Sequence, residues 1–470
     1  MKPALLLLPL SFAPASFLGQ DAQAGQVAQL KVAELTAAEL TALKEITLAR
    51  VRKTIRFLAA DELKGRDTSS PGLHKASEYV AQRFKAAGLE GLGPDGSFFL
   101  AATVKVPPQL GFQLKGSEGE IKCHGLLAAG AKPLRYAGKI SSEVVKGQPL
   151  FFPNPDSRNE RSAIMTTVRR ASRAARKGAT ALLVQTEQVS RLALAAKKLD
   201  TEEGRGLIGL VSRSRIPILL VPGWVQPGTF IVDIPQAVEA PDDNRNVCGV
   251  LPGSDAKLSK EAVLITAHLD HIGTRTSRRG GSEKDTINNG ADDDASGCTG
   301  VMSLADAFGA LKTRPKRSVI FMTFWGEERG LLGSKHFCAH PAWPLEKIVA
   351  NVNLEMLGRP EEGAQHKAWM TGWTKSDLGE LMALGAARVG VEVFRHRRFS
   401  PMLYGSSDNA SFVRAGVIAH SFSAGSLHED YHKPGDEWEK LDLPHMTKVI
   451  QGMFTGCLPF AHGKLTPRKK

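Results

Sequence analysis

Histidine and carboxylate residues that could bind a metal stand at the ends of three short apolar runs. They are His268 and Asp270 after Val263–Ala267, Glu327 and Glu328 after Ser318–Trp325, and Glu355 after Val349–Leu354. Three consecutive aspartates, residues 292–294, lie between the first two runs and directly precede a helical pattern. Imidazole nitrogens and carboxylate oxygens are zinc ligands. A water molecule bound to two zinc ions loses a proton more easily and becomes a nucleophile. These residues therefore predict a hydrolytic site with two metal ions.

Individual roles follow from the spacing. His268 can bind one metal through a ring nitrogen, and Asp270, two residues on, points to the same side of an extended strand. Its carboxylate could accept the other ring N–H and fix the tautomer. One of Asp292–Asp294 can bridge the metals. Glu327 and Glu328 are adjacent, so one can ligate while the other faces the water.

The second metal would be completed by Glu355, and the first needs a late histidine, for which His428 and His432 are both available. The mixed nitrogen and carboxylate set favours zinc, although manganese or cobalt would also fit. Each motif alone is common on solvated surfaces. Their recurrence at successive strand ends is what indicates a metal site.

Apolar runs alternate with helical patterns over this part of the chain, which predicts an α/β fold with a mostly parallel sheet. In such sheets ligands bind beyond the carboxyl ends of the strands. Two helical pieces between Val51 and Gly88 precede it. Short β-like runs between about residues 101 and 245, with one helical stretch, contain no set of ligands and predict a separate accessory module.

Composition is that of an ordinary globular protein, with 42% hydrophobic and 23% charged residues. At 470 residues the chain can hold two or three domains. The formal charge of +13 is spread along the sequence in small basic clusters without interleaved aromatic residues, so we expect solvated faces and no nucleic-acid partner. The five cysteines form no zinc-finger spacing and indicate no disulfide framework.

The N-terminus predicts a signal peptide over residues 1–24 and thus a secreted or periplasmic protein. Lys2 precedes the apolar stretch Ala4–Leu10, and Ala22–Ala24 has small residues of a cleavage site. A membrane anchor is the alternative, although Pro9 and Pro14 interrupt the apolar stretch. No other segment is long and apolar enough to span a bilayer.

The motifs together resemble a known family. The segments HLDHIG, NNGADDDASG, FWGEERGLLGS, NLEMLGR and DYHKPGDEWEKLD are similar to signatures of the dizinc exopeptidases, which include bacterial leucyl aminopeptidases, glutamate carboxypeptidase II and, more distantly, glutaminyl cyclases. The resemblance implies a three-layer sandwich with an inserted, smaller β-rich α/β domain similar to a protease-associated domain. The expected divisions are a leader and helices at 25–125, the insert at 126–240 and the catalytic domain at 241–465.

The resemblance also implies residue roles. Asp293 matches the bridging aspartate, Glu327 the general base, and Asp270 the residue that orients His268. One zinc ion would then be held by Asp293, Glu328 and His432, and the other by Asp293, His268 and Glu355. Glu355 departs from the aspartate found in many members, which puts the second metal's affinity in question.

Other residues near these motifs receive supporting roles. His428 competes with His432 as the last ligand but is the poorer match to the motif. Asp408, in a loop similar to a substrate-side loop of the family, is the candidate substrate contact. We expect His271 and Asp294 to support the site and Cys298 to be a buried apolar residue rather than a nucleophile.

The sequence thus predicts a zinc metallopeptidase acting on peptides, most simply an aminopeptidase. Alternatives are a carboxypeptidase for acidic C-terminal residues, which Arg395, Arg397 and Arg398 would suit, a glutaminyl cyclase with one zinc, and a non-catalytic binding protein on the same scaffold. The side-chain preference and the oligomeric state are left open.

Overall fold

A computed structural model describes residues 34–106, 238–274 and 285–470 without interruption. Between them it describes residues 113–116, 119–121, 125–126, 134–140, 142–153, 160–186, 190, 192, 194, 214, 216–222 and 229–234. The predicted signal peptide and Cys123 lie outside the described residues. Within the described part, no helix combines the length and hydropathy needed to cross a membrane.

The strands in chain order are β1 (Glu90–Gly91), β2 (Phe99–Val106), β3 (Gln113–Gly116), β4 (Gly119–Glu120), β5 (Gly125–Leu126), β6 (Leu134–Lys139), β7 (Leu150–Pro153), β8 (Leu182–Thr186), β9 (Ile218–Pro222), β10 (Thr229–Ile234), β11 (Val238–Leu251), β12 (Ala262–His268), β13 (Ser318–Phe324), β14 (Ile348–Glu355), β15 (Lys367–Met370), β16 (Glu392–Phe394) and β17 (Ala419–Ser423). The α-helices are α1 (Ala37–Leu43), α2 (Leu48–Leu58), α3 (Pro71–Ala86), α4 (Glu160–Arg176), α5 (Gly297–Gly309), α6 (Leu332–Ala339), α7 (Leu378–Ala387), α8 (Phe399–Met402), α9 (Asn409–Arg414) and α10 (Leu443–Ala461). Asp61–Arg66 forms a 3₁₀ segment and Ala291–Ser296 a π turn.

One nine-stranded sheet organises the molecule, in the order β1-β11-β13-β12-β14-β17-β15-β16, with β2 also paired to β11. The inner strands β13, β12, β14 and β17 are mutually parallel, whereas β11 and β15 run antiparallel to their neighbours β13 and β17. Every residue of β12 and β13 is buried, as expected for parallel strands covered on both faces.

Alternate residues of the inner strands enter two separate cores. Val263 and Ile265 of β12 pack in the core that includes residues of α2, α3, α5 and α10, whereas Ala262 and Leu264 pack in the core with residues of α6 and α9. Successive side chains of a strand point to opposite faces, so the sheet lies between two helical layers. The predicted α/β class and three-layer arrangement are confirmed.

A second unit lies between β2 and β11. Its strands form two four-stranded sheets, β4-β3-β10-β6 and β5-β9-β8-β7, and α4 packs with the second of these in a core of its own. The unit's first described strand begins at Gln113, before the predicted boundary at residue 126. That this unit is a protease-associated domain stays a prediction.

The pairing of β2 with β11 suggests how to remove this unit. Val106 lies opposite Val238 in the antiparallel ladder, so a two-residue Asn-Gly turn can join them in place of residues 107–237. Because every predicted ligand lies outside this span, we expect the shortened protein to bind as much zinc per chain as the full-length protein. Metal analysis of both purified proteins measures this.

Thermal unfolding of the shortened protein is the control for folding. A shortened protein that unfolds cooperatively yet has lost zinc would show that a ligand lies inside the removed span.

Candidate active site

The ligand candidates meet at the carboxyl ends of the inner strands. His268 is the last residue of β12, Glu355 is the last residue of β14, and Glu327 and Glu328 follow β13. Asp293 lies in the π turn that leads into α5, and its peptide bond to Asp294 is cis. The strand ends therefore bring together the side chains that the sequence places far apart.

One cluster contains His268, Asp293 and Glu355. The Nε2 atom of His268 lies 3.2 Å from Asp293 Oδ1 and 3.7 Å from Glu355 Oε2. One nitrogen and two carboxylate oxygens from the three residues all lie within 4.8 Å of one another. This is the geometry of atoms arranged around one cation.

A second cluster shares Asp293 through its other oxygen. His432 Nε2 lies 3.0 Å from Asp293 Oδ2 and 3.2 Å from Glu328 Oε1. His271 also belongs here, since its Nδ1 atom lies 3.1 Å from Glu328 Oε1 and 3.8 Å from Asp293 Oδ2. The sequence places His271 beside the site, and the structure brings it to ligand distance. Asp293 is thus the residue that both clusters have in common.

The unsatisfied atoms of this second cluster fit a metal. Asp293 Oδ2, Glu328 Oε1 and both ring nitrogens of His271 are buried without a hydrogen bond of acceptable geometry. Three pairs of a histidine nitrogen and a carboxylate oxygen in this cluster lie 3.0–3.2 Å apart, but their angles are not those of hydrogen bonds. Ligand atoms around a shared cation would have this arrangement. The nitrogen and oxygen donors of the two clusters suit two zinc ions.

Buried carboxylates that do not belong to the clusters hold the backbone of the ligands. Asp294 accepts the N–H of His268 at 3.2 Å and the N–H of Met356, the residue after Glu355, at 3.2 Å. Asp436 accepts the N–H groups of Asp292, at 3.0 Å, and of Asp293, at 3.1 Å. These bonds fix the main chain on which the ligand side chains stand.

Asp270 differs in detail from the sequence prediction. The Nδ1 atom of His268 lies 3.0 Å from the main-chain carbonyl oxygen of Asp270, whereas the Asp270 carboxylate is 3.9 Å away. That carboxylate instead accepts the N–H groups of Glu327, at 2.9 Å, and Glu328, at 3.3 Å, and the hydroxyl of Thr68. Burial raises the pKa of Asp270 to about 6, although nearby His268 and these hydrogen bonds favour its charged form. Its carboxylate therefore orients both glutamates.

Glu355 is held by two polar neighbours. Its Oε1 atom accepts hydrogen bonds from the Ser407 hydroxyl and from Asn353 Nδ2, the latter at 2.9 Å. Asn353 in turn accepts the Thr266 hydroxyl at 2.7 Å. Since Oε1 is engaged, Oε2 is the oxygen that faces His268 and the metal position.

Three other candidates are not members of the two clusters. Asp408 is fully buried and does not line the pocket, whereas its neighbour Ser407 does, and a substrate contact of Asp408 stays a prediction. His428 Nε2 lies 3.5 Å from Asp292 Oδ2, outside both metal clusters. Cys298 is buried and donates to the carbonyl of His268 at 3.1 Å, and burial raises its thiol pKa well above the usual value. Cys298 is thus no nucleophile.

A pocket opens beside the clusters and includes Glu327. Its wall is largely apolar and aromatic and its remaining surface is mainly hydroxyl-bearing; the lining residues are His268, Asp293, Glu327, Glu355, Met356, Trp369, Thr371, Phe399, Leu403, Ser406, Ser407, Ser421, Ser423, Ser426, Leu427 and Tyr431. Burial, followed by the charges of Asp408, Glu355 and Glu328, raises the pKa of Glu327 well above its usual value, against the opposing charge of His268. Glu327 is thus a carboxylate of the pocket that belongs to neither metal cluster, which is the position a general base needs.

Tyr431 is a pocket residue that the sequence prediction missed. Its ring stacks on that of His432 with 3.9 Å between centroids, and it lines the pocket next to Glu327. The signal for it was its position directly before the predicted ligand His432 in the DYH motif. Trp369 and Phe399 gave no such signal, because they lie on segments without metal-binding motifs.

Comparisons with known proteins agree with this site. The sequence profile of peptidase family M28 matches residues 246–455. The aminopeptidase YwaD of Bacillus subtilis is 27% identical over 214 residues, which are 44% of this chain and 42% of the relative. A probable leucine aminopeptidase of Trichophyton verrucosum is 28% identical over 221 residues, 45% of this chain and 56% of the relative. This chain thus spans about half the length of these relatives.

Among solved structures, an aminopeptidase from Aneurinibacillus sp. strain AM-1 aligns with 92% of this chain and 97% of its own, at 17% identity and a TM-score of 0.49. An α/β sheet with two histidine and carboxylate clusters at its strand ends is the architecture of a metallopeptidase. The match of residues 246–455 to peptidase family M28 confirms the predicted resemblance to the dizinc exopeptidase family and supports a metallopeptidase.

The geometry of Glu355 yields a prediction. Glu355→Ala removes the oxygen that faces His268, so we expect the protein to bind one zinc ion tightly instead of two. Glu355→Asp keeps a carboxylate there and should keep both ions and part of the activity. Zinc titration of the metal-free variants distinguishes these cases. An Ala variant that retains two tightly held ions would show that Glu355 is not a ligand.

Proposed function

We propose that this chain is a zinc aminopeptidase that removes apolar N-terminal residues from peptides. The observation that carries the proposal is the pocket that Glu327 lines together with the ligand candidates His268, Asp293 and Glu355 and with an apolar wall. The names of the relatives, aminopeptidase and probable leucine aminopeptidase, support it. Secretion or export to the periplasm is part of the proposal and rests on residues 1–24 of the sequence.

The charges of the pocket favour an amino terminus over a carboxyl terminus. Glu327, Glu355 and Asp293 line it, and among the described residues no lysine or arginine does. Since Asp293 and Glu355 would be engaged by zinc, the distinction rests on the missing cation: a C-terminal carboxylate would find no lysine or arginine partner in this lining. Arg395, Arg397 and Arg398, which had favoured an acid-specific carboxypeptidase, are exposed and outside the pocket lining.

The apolar wall indicates which side chain the pocket accepts. Four side chains give the pocket its apolar surface. Met356, Trp369 and Phe399 are buried, and Leu403 is half-buried. Burying an aliphatic side chain of the substrate there is favourable by about 1.5–3 kcal/mol. An acidic side chain would lose its hydration without gaining an opposite charge from a lysine or arginine of the lining.

The mechanism follows from the positions of the residues. Zinc held by these residues would supply an acidified water and polarise the scissile carbonyl. Glu327 accepts the proton of the attacking water and returns it to the leaving amine. Asp270, which accepts the Glu327 N–H, keeps this base in place. Tyr431, whose ring stacks on His432, would offer its hydroxyl as a hydrogen-bond donor to the oxygen that becomes negative.

The remaining alternatives fit the site less well. A glutaminyl cyclase would need one zinc, whereas two groups of three candidate donor residues meet here. A non-catalytic binding protein would not need Glu327, which the structure keeps beside the clusters. A panel of leucyl peptides with free and acetylated amino termini, assayed with zinc and after chelation, tests the proposal. Cleavage of the acetylated peptides, or cleavage that persists without metal, would contradict it.

Glu327→Gln gives a direct test of the base. Gln has nearly the same shape but cannot accept the proton, so kcat should fall by about a hundred- to ten-thousand-fold while two zinc ions stay bound. Peptidase rates and zinc content of the same preparation measure both effects.

Glu328→Gln is the matched variant, since it replaces the neighbouring carboxylate by the same amide. Because Glu328 faces His432 and His271, its loss should reduce zinc content as well as activity. If the two variants exchange these behaviours, the roles of the two glutamates are reversed.

A further inference from the structure

Three arginines form a cationic cluster just outside the pocket. Arg395, Arg397 and Arg398 lie between β16 and α8, and all three are exposed. None of their guanidinium groups has an ion-pair partner among the described residues. The nearest interaction with an acid involves His396, whose Nε2 atom lies 3.3 Å from Glu361 Oε2. The cluster is therefore an uncompensated positive surface.

This arginine cluster is attached to the pocket wall. Phe399 lines the pocket, and the guanidinium carbon of Arg398 lies 5.4 Å from the centre of its ring. His396 stacks on the same ring at 4.5 Å, and its Nδ1 atom accepts the N–H groups of Arg398 and Phe399. The backbone of the arginine cluster is thus fixed relative to the pocket, with one aromatic ring between them.

The surroundings of the pocket suit the remainder of a peptide. Met402 at the end of α8 and Leu427 of the pocket wall are 47% and 41% exposed. An extended peptide advances about 3.3 Å per residue, a step that a long arginine side chain on the outer side of the same wall can span. Arginine also offers paired donors that match a carboxylate.

We propose that this arginine cluster selects peptides with acidic residues directly after the apolar N-terminal residue. The inference rests on the proposed aminopeptidase function and names its substrate class. The apolar pocket takes the first side chain, and the arginines bind the carboxylates of the second and third residues. Acid recognition therefore acts on the part of the substrate that follows the cleaved bond, not on a C-terminal residue.

The test compares three peptides with free amino termini and amidated C-termini, Leu-Ala-Ala-Ala, Leu-Glu-Glu-Ala and Leu-Lys-Lys-Ala. Exposed ion pairs contribute little each, so we expect a KM about threefold to tenfold lower for the acidic peptide than for the neutral one. The basic peptide should be the poorest substrate. Because exposed charges are screened by salt, the preference should shrink between low and high ionic strength.

The variant Arg395→Gln/Arg397→Gln/Arg398→Gln should bring the acidic-to-neutral ratio of kcat/KM close to one, mainly through KM. The matched control is Arg169→Gln/Arg173→Gln/Arg176→Gln, which removes the same charge from the exposed face of α4. The control should keep the acidic preference. This comparison separates local binding from the overall charge of +13.

Each other outcome has a definite meaning. Hydrolysis without an acidic preference, or an equal loss in both variants, overturns the inference and leaves the aminopeptidase proposal intact. No hydrolysis of any free-amino peptide by zinc-loaded protein overturns both. Release of glutamate from an acetylated peptide ending in glutamate would assign the arginines to a carboxypeptidase instead.

Discussion

The structure depends on how it tolerates negative charge in its interior. Six aspartates around the strand ends are buried, namely Asp270, Asp292, Asp293, Asp294, Asp408 and Asp436. An unpaired ion transferred into a protein interior costs several kcal/mol. The fully buried cation nearby, Arg66, directs its guanidinium to the carbonyl oxygens of Leu58, Leu269, Asn289 and Gly290 rather than to a carboxylate. Cations bound by the two clusters would supply the missing positive charge, so the metals would hold the fold as well as the substrate.

Main-chain N–H groups donate hydrogen bonds to the buried carboxylates and so offset part of their negative charge. The same bonds fix the backbone of the ligand candidates. Asp294 holds the backbone of His268 and of the residue after Glu355, Asp436 holds that of Asp293, and Asp270 holds that of Glu327 and Glu328. Residues before the family match also hold the site in place. The Thr68 hydroxyl donates to Asp270, and the Arg66 guanidinium donates to the main-chain carbonyls of Leu269 and Gly290. Arg66 and Thr68 therefore tie the segment before residue 106 to the strand ends that carry the ligand candidates.

Much of this arrangement could be predicted from the sequence because it follows from local rules. Apolar runs that end in His268, Glu327 and Glu355 mark strand ends, and strand ends of a parallel sheet meet at one edge. The contacts that could not be predicted are those set by the direction in which each side chain points. The carboxylate of Asp270 turns to the glutamate amides, while His268 uses a carbonyl. His271 reaches Glu328, and Asp408 is buried behind Ser407. Trp369 and Phe399 become pocket walls only through tertiary packing, which periodicity does not reveal.

The measurement that tests the central claim most directly is the thermal stability of metal-free protein as zinc is added. Ligands that bind only the folded state raise its stability in proportion to their affinity. The account predicts that the melting temperature rises until two equivalents of zinc per chain are bound, and that Asp293→Asn, which weakens the shared ligand, removes most of the rise. A melting temperature that does not respond to zinc, or the same response in Asp293→Asn, would contradict it.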